Sequence, residues 1–240
     1  MKKGKKLGIV ISAVVGIGIL LLILSQPEGE LFNAIQSDIE QIDLSQSENN
    51  LFDLPQGKTF GTIDISNYPM LGSPDAPITI IGFGDYQCLG CKAWVDETMP
   101  EITESLIENG TANYIFVDAD IIEDNSLRAA EPAYCANEQE RYWEFHVVLF
   151  KSQPASEGWG SIEHLKGIAL GLELDMDLFE GCLNSKKYEE MIRDNVSLAK
   201  ANGIIQTPTF VLVNSEGGHH IIGGVATYTV FEQVIGFLTK

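Results

Sequence analysis

Basic residues are scarce in this chain: 15 Lys and Arg stand against 34 Asp and Glu, a formal net charge of −19 over 240 residues. Four of those lysines fall in the first six residues, so the remainder is more acidic still. A surface of that sign repels phosphate backbones and argues against nucleic acid as a ligand. Cysteine is scarce too. Four cysteines are too few for a disulfide-dense miniprotein, so the fold must rest on a hydrophobic core. The 45% apolar composition can supply one, which excludes disorder throughout. No internal repeat is present, and Gly217-Gly218 and Gly223-Gly224 lack the spacing of a phosphate loop.

What the N-terminus does have is one long apolar run. Met1-Lys2-Lys3-Gly4-Lys5-Lys6 precedes an uncharged stretch from Leu7 to Leu24 rich in Ile, Val and Leu. At the helical rise that stretch spans roughly 27 Å, close to the thickness of a bilayer's hydrocarbon. The lysines would stay cytoplasmic, placing everything after Gln26 outside the cell membrane. A cleaved signal peptide is the competing reading. The run is longer than an ordinary signal core, and Leu22-Ile23-Leu24-Ser25 offers no small-x-small cleavage site, so an uncleaved single-pass anchor is favoured over residues 1–25. Either route exposes the cysteines to an oxidising compartment.

Residues 26–68 read as an acidic, flexible linker dominated by Gln, Ser, Asn, Asp and Glu. From residue 69 to 240 the pattern is that of an ordered α/β domain. Ile78–Phe83 has the length and character of a buried strand, followed by a helix carrying Trp94, Val95, Met99, Ile102 and Leu106, with Gly110 as its stop. Tyr114–Val117 reads as a second strand. A mostly helical block fills about 122–200, and Thr209–Val213, Gly217-Gly218 and His220–Ile222 form a hairpin before a last helix at Thr229–Leu238. The order β-α-β, helices, β-β-α describes an α/β domain with an all-helical insertion.

The chemistry centres on Cys88-Leu89-Gly90-Cys91, where the first strand hands over to the first helix. Residues three apart share a helical face, so the two sulfurs can meet. Cys88 would sit at the helix N-terminus, where unpaired N–H groups and the helix dipole favour thiolate and make it the nucleophile. Cys91, one turn in, is shielded and suited to resolving a mixed disulfide. A zinc site is the usual competitor, but it needs four ligands. Cys135 and Cys182 lie far apart and His146, His164, His219 and His220 show no matching spacing, so no metal is implied.

Other residues carry weaker signals. Asp85, three before Cys88, is a candidate proton acceptor, with a loop-capping role the plainer account. Cys135 and Cys182 both fall in the helical block. An even cysteine count in an exported chain favours a structural bridge between them over two buried thiols. Thr207-Pro208 stands just before a strand. It is an ordinary strand start if trans, whereas a cis bond would turn Thr207 toward an extended peptide; the general preference is trans. His146 reads as a core histidine, and Asn109-Gly110-Thr111 and Asn195-Val196-Ser197 match the glycosylation pattern.

Together, Phe83-Gly84-Asp85-Tyr86-Gln87-Cys88-Leu89-Gly90-Cys91-Lys92, Pro100 and Thr207-Pro208-Thr209 resemble the DsbA-like thiol–disulfide oxidoreductases of the thioredoxin superfamily. Gly72-Ser73-Pro74-Asp75-Ala76-Pro77 and Tyr142-Trp143-Glu144-Phe145-His146 look like the membrane-anchored branch of that group. The resemblance covers about residues 70–238. It implies a thioredoxin fold with a helical insertion, behind an N-terminal transmembrane helix. It also implies Cys88 as attacking cysteine, Cys91 as its partner, Pro208 in cis with Thr207 beside it as the substrate-binding edge, and no cofactor. The substrates implied are thiols of exported proteins, and the recharging partner a quinone-linked membrane protein. One departure matters. Many relatives carry Pro-His or similar between the cysteines, whereas Leu89-Gly90 offers the Cys88 sulfur no side-chain hydrogen bond or charge. The expectation is a less depressed Cys88 pKa and a weaker oxidant than the Pro-His type.

Overall fold

Seven consecutive residues with little polarity, Ile-Thr-Ile-Ile-Gly-Phe-Gly, form the strand β2 (Ile78–Gly84), buried on both faces apart from Thr79. A strand of that kind belongs in the middle of a sheet. It lies there: β3 (Ala112–Asp118), buried along its whole length, runs parallel to it on one side, and β4 (Thr209–Asn214) runs antiparallel on the other. The edges are β5 (His219–Gly223), antiparallel to β4, and β1 (Met70–Leu71), antiparallel to β3, giving the order β1-β3-β2-β4-β5. The computed structural model describes residues 67–119, 124–153 and 159–240, all within one compact unit, Thr59–Lys240. The apolar run 7–24 and nearly all of the acidic linker lie outside the described residues, among which no helix is long and apolar enough to cross a membrane.

Parallel pairing of β2 with β3 needs a crossover, supplied by α1 (Leu89–Glu97), α2 (Met99–Ile102) and a π-helical stretch, Thr103–Ile107. The apolar spacing predicts one continuous helix here, and the structure breaks it into three. Pro100 is the reason: it has no N–H to donate and stands at the start of α2, as helix-opening prolines do. Gly110 ends the segment at φ +75°, a left-handed backbone that glycine adopts without strain. The two-residue β1 was not legible from pattern, being too short to show any alternation.

The helical insertion comprises α3 (Asp124–Asn137), α4 (Tyr142–Lys151), α5 (Ile162–Gly171), α6 (Met176–Ser185) and α7 (Glu189–Ala201). A disulfide joins Cys135 of α3 to Cys182 of α6, with Cα atoms 5.7 Å apart. The sheet has two covered faces. On one, Ile81, Phe83, Ile115, Val117 and Val211 pack with Ala199 of α7 and Ile204. On the other, Trp94 of α1 lies 4.5 Å from the ring of Phe210, which meets Phe231 of the last helix, α8 (Tyr228–Leu238), at 5.0 Å. Rings at these distances, tilted and edge-on, are favourable beyond the area they bury. Asn195 is buried in α7 with its side chain bonded to Asp118, so the Asn195-Val196-Ser197 match is not a surface acceptor.

Candidate active site

The turn between β2 and α1 is built by Asp85. Its Oδ1 accepts the Gln87 N–H at 2.7 Å, and its carbonyl accepts the Cys88 N–H at 3.0 Å. This Asx-type turn delivers Cys88 in extended geometry as the N-cap of α1, with its sulfur accepting the Cys91 N–H at 3.4 Å. Asp85 is itself buried, and its carboxylate is engaged in shaping the loop.

From the far end of the chain comes the segment ahead of β4. The Thr207–Pro208 peptide is cis, and the Thr207 carbonyl oxygen lies 3.3 Å from Cys88 Sγ. Pro208 accepts the Gly224 N–H at 2.8 Å, so the β5 end closes behind it. Gly90 explains how these pieces fit. A Cβ there would come 3.2 Å from Pro208 Cδ and 3.4 Å from Val225, tighter than ordinary contact. Leu89, Ile205 and Val225, each more than half exposed, belong to the same three segments.

The two sulfurs are free thiols of opposite character. The Cys88 thiol is lowered to about 5, first by the Cys91 thiol donating to it, against the opposing effect of burial, with Thr207 and the Cys91 and Gly90 N–H groups adding to it. The largest contribution is therefore the partner sulfur, ahead of the helix-end N–H groups that the sequence pointed to. A value near 5 lies well below a free cysteine but above the roughly 3.5 of DsbA. Cys91 is held firmly protonated: its bond to Cys88, its burial and the Cys88 charge all push it up.

His146, read from the sequence as a core histidine, is fully buried, whereas its Tyr86 partner and the hydrogen bonds around Asp118 were not anticipated. Tyr86, two residues before Cys88, places its hydroxyl 2.8 Å from His146 Nδ1, and burial lowers that histidine to about 3. Asp118, at the end of β3 and level with Gly84 in register, accepts hydrogen bonds from Tyr134 at 2.9 Å and Asn195 at 3.4 Å. Burial raises its carboxyl to about 7 despite those bonds. An acid closing an otherwise apolar strand, Tyr-Ile-Phe-Val-Asp, was the available signal. Among the described residues no cluster of three or more His, Cys, Asp or Glu is arranged to hold a metal.

A thioredoxin-like sheet, a Cys-x-x-Cys pair opening the first helix and a cis-proline facing the leading sulfur define a dithiol–disulfide exchange protein with a helical insertion. The chain belongs to the thioredoxin family, whose profile matches residues 66–234, and within it is a DsbA-like thiol–disulfide oxidoreductase. It is 26% identical over 191 residues to disulfide bond formation protein D of Bacillus subtilis (strain 168), covering 78% of this chain and 84% of that one. The alpha-DsbA1 structure from Wolbachia pipientis superposes with a TM-score of 0.67 at 28% identity, covering 75% of this chain and 96% of that chain. Oxidised BdbD from Bacillus subtilis gives 0.64 at 25% identity, covering 72% and 94%.

Proposed function

We propose that the protein forms disulfides in exported proteins, outside the cell membrane and tethered to it by the 7–24 segment. In this reading Cys88 and Cys91 start as a disulfide. A substrate thiolate attacks Cys88 Sγ, the S–S bond breaks, and Cys91 leaves with the electron pair and takes up a proton. A second substrate thiolate then attacks the substrate sulfur of the mixed disulfide and releases Cys88 as thiolate. The substrate dithiol has lost two electrons and the Cys88/Cys91 pair has gained them. A quinone-linked membrane partner would take them back.

The observation that carries this reading is the Cys88 sulfur, acidic and placed against the Thr207 carbonyl. A stabilised leaving thiolate drives release of the product, so the reduced form is favoured and the disulfide is oxidising. Thr207 and Pro208 supply a backbone edge for an extended substrate, with exposed Leu89, Ile205 and Val225 beside it. We assign Asp85 to shaping the turn rather than to proton transfer, because Gln87 holds its Oδ1. The departure at Leu89-Gly90 sets the potential below that of the Pro-His type.

Incubating the oxidised soluble domain with a reduced model protein tests the reading. Transfer of the disulfide, abolished in Cys88→Ser, is the expected result. A couple poised near the roughly −270 mV of thioredoxin, with no net oxidation of the model protein, would assign a reductase instead.

A further inference from the structure

Thr98 stands at the junction of α1 and α2, only 6% exposed, as the C-cap of one helix and the N-cap of the next. Its hydroxyl makes no cap to α2. Pro100, the second residue of that helix, has no N–H for a cap to accept. Instead Thr98 Oγ1 donates to the carbonyl oxygen of Ala226 at 3.1 Å, a buried contact across 128 positions.

Ala226 ends a short segment that is tied down twice. Two residues earlier, the Gly224 N–H donates to Pro208 at 2.8 Å, and Gly224 takes φ +83°, a backbone that glycine adopts without strain. Between these two bonds stands a single residue, Val225, 52% exposed. Gly90 shows where its side chain points. The place a Gly90 Cβ would take lies 3.2 Å from Pro208 Cδ, 3.4 Å from Val225 Cγ2 and 3.6 Å from Cys88 Sγ. The cis-proline, an apolar methyl and the reacting sulfur therefore surround one point.

We infer, on the exchange reading proposed above, that Thr98 is a positioning residue. Through the Ala226 carbonyl it holds Val225 as a wall against which the residue beside a substrate cysteine packs. Cys88 is the N-cap of α1 and Thr98 its C-cap, so one nine-residue helix fixes the nucleophile relative to the anchor of that wall. A substrate joined to Cys88 through sulfur brings its flanking residue to Val225, and an apolar residue there gains by covering the valine. A small thiol without that flank gains nothing.

A buried carbonyl that loses its donor costs stability in any setting, so the test must read substrate preference. Single turnovers of the oxidised protein at rising peptide concentration give a half-saturation constant, KM, and a limiting rate, kcat. The probes are a reduced two-cysteine peptide with Leu beside its first cysteine, the same peptide with Ser there, and glutathione. Thr98→Val removes the hydroxyl and should raise KM for the Leu peptide about three- to tenfold, the worth of one hydrogen bond, with kcat unchanged. KM for the Ser peptide and the rate with glutathione should match the wild type, and Thr98→Ser, which keeps the donor, should match it throughout. Val225→Ala alters only an exposed side chain, so it remains informative if Thr98→Val folds poorly. It should erase the preference for Leu over Ser, and in its presence Thr98→Val should raise KM no further. An unchanged KM in Thr98→Val overturns the inference. So do a loss shared equally by both peptides and glutathione, a preference retained in Val225→Ala, or additive effects of the two substitutions. Exchange run in reverse, from reduced protein and peptide disulfide, reads the same preference. Failure of net oxidation would therefore sink the functional reading and leave this one standing.

Discussion

Cys88 Sγ sits 3.3 Å from the carbonyl oxygen of Thr207, a residue 119 positions further along the chain. The contact joins the start of α1 to the strand entering the far side of the sheet. It also puts the nucleophile directly beside the backbone that would hold its substrate. The carbonyl contact sets where a substrate would lie, whereas the acidity of the sulfur comes first from the Cys91 thiol behind it.

The first concerns reactivity. With the Cys88 thiol lowered to about 5, alkylation of the reduced protein by iodoacetamide should rise with pH about a midpoint near 5, against about 8.5 for a free cysteine. Because the Cys91 thiol is the largest contributor, Cys91→Ala should move the midpoint upward. A wild-type midpoint at 3.5, or one unmoved by Cys91→Ala, would contradict the hydrogen-bond account.

Stability should respond to pH in the same window. The folded Cys88 pKa lies below its unfolded value, so between about 5 and 9 the unfolded chain holds a proton there that the native reduced chain does not. Relative to the oxidised protein, the reduced protein should therefore gain stability as pH rises across that window and lose it as pH falls toward 5, since Asp118 and His146 titrate in both forms and cancel. The oxidised protein, with no Cys88 thiol, lacks this contribution. Urea titrations of both forms at several pH values would reveal the difference, and parallel curves would refute it.

Gly84 has no room for a side chain. A Cβ would come 2.4 Å from Phe116 and 3.4 Å from Cys91 Sγ, so Gly84→Ala must push a packed ring and the resolving cysteine. Overpacking of this kind costs about 1–3 kcal/mol, readable as a lower urea midpoint. Exchange kinetics should suffer with it, whereas Gly236→Ala, at an α8 position with open space, should leave both alone.

The Cys135–Cys182 bridge closes a loop of 47 residues between α3 and α6. The chain-entropy model gives it about 4 kcal/mol, acting on the unfolded state. A Cys135→Ala/Cys182→Ala double variant should lose roughly that amount in chemical denaturation while its Cys88/Cys91 pair still exchanges with glutathione. Retained stability would mean that the unfolded chain is already compact there.

How much could be read in advance differs from residue to residue. The turn at Asp85, the helix opening at Cys88 and the buried run Ile78–Phe83 rest on interactions a few residues long. The same holds for the hairpin at Gly217, where the Asn214 side chain accepts the Glu216 and Gly218 N–H groups. The break at Pro100 was written in the sequence too, but the apolar spacing on either side masked it. β1 and the Asp118 network left almost no trace, because each depends on partners far away: Met70 on Ile115, and Asp118 on Asn195, 77 residues distant.

The sequence by itself determined that a pair of sulfurs would open a helix after a buried strand, since N-capping and apolar runs are local physics. The motif itself holds the largest influence on the Cys88 sulfur, the Cys91 thiol three residues on; tertiary structure decided the rest. The rest is how far each sulfur is desolvated, and the bond from Thr207 brought in across 119 residues. Hydrogen bonding and burial act over a few ångströms of space, and beyond the motif nothing in the linear order says what those few ångströms contain.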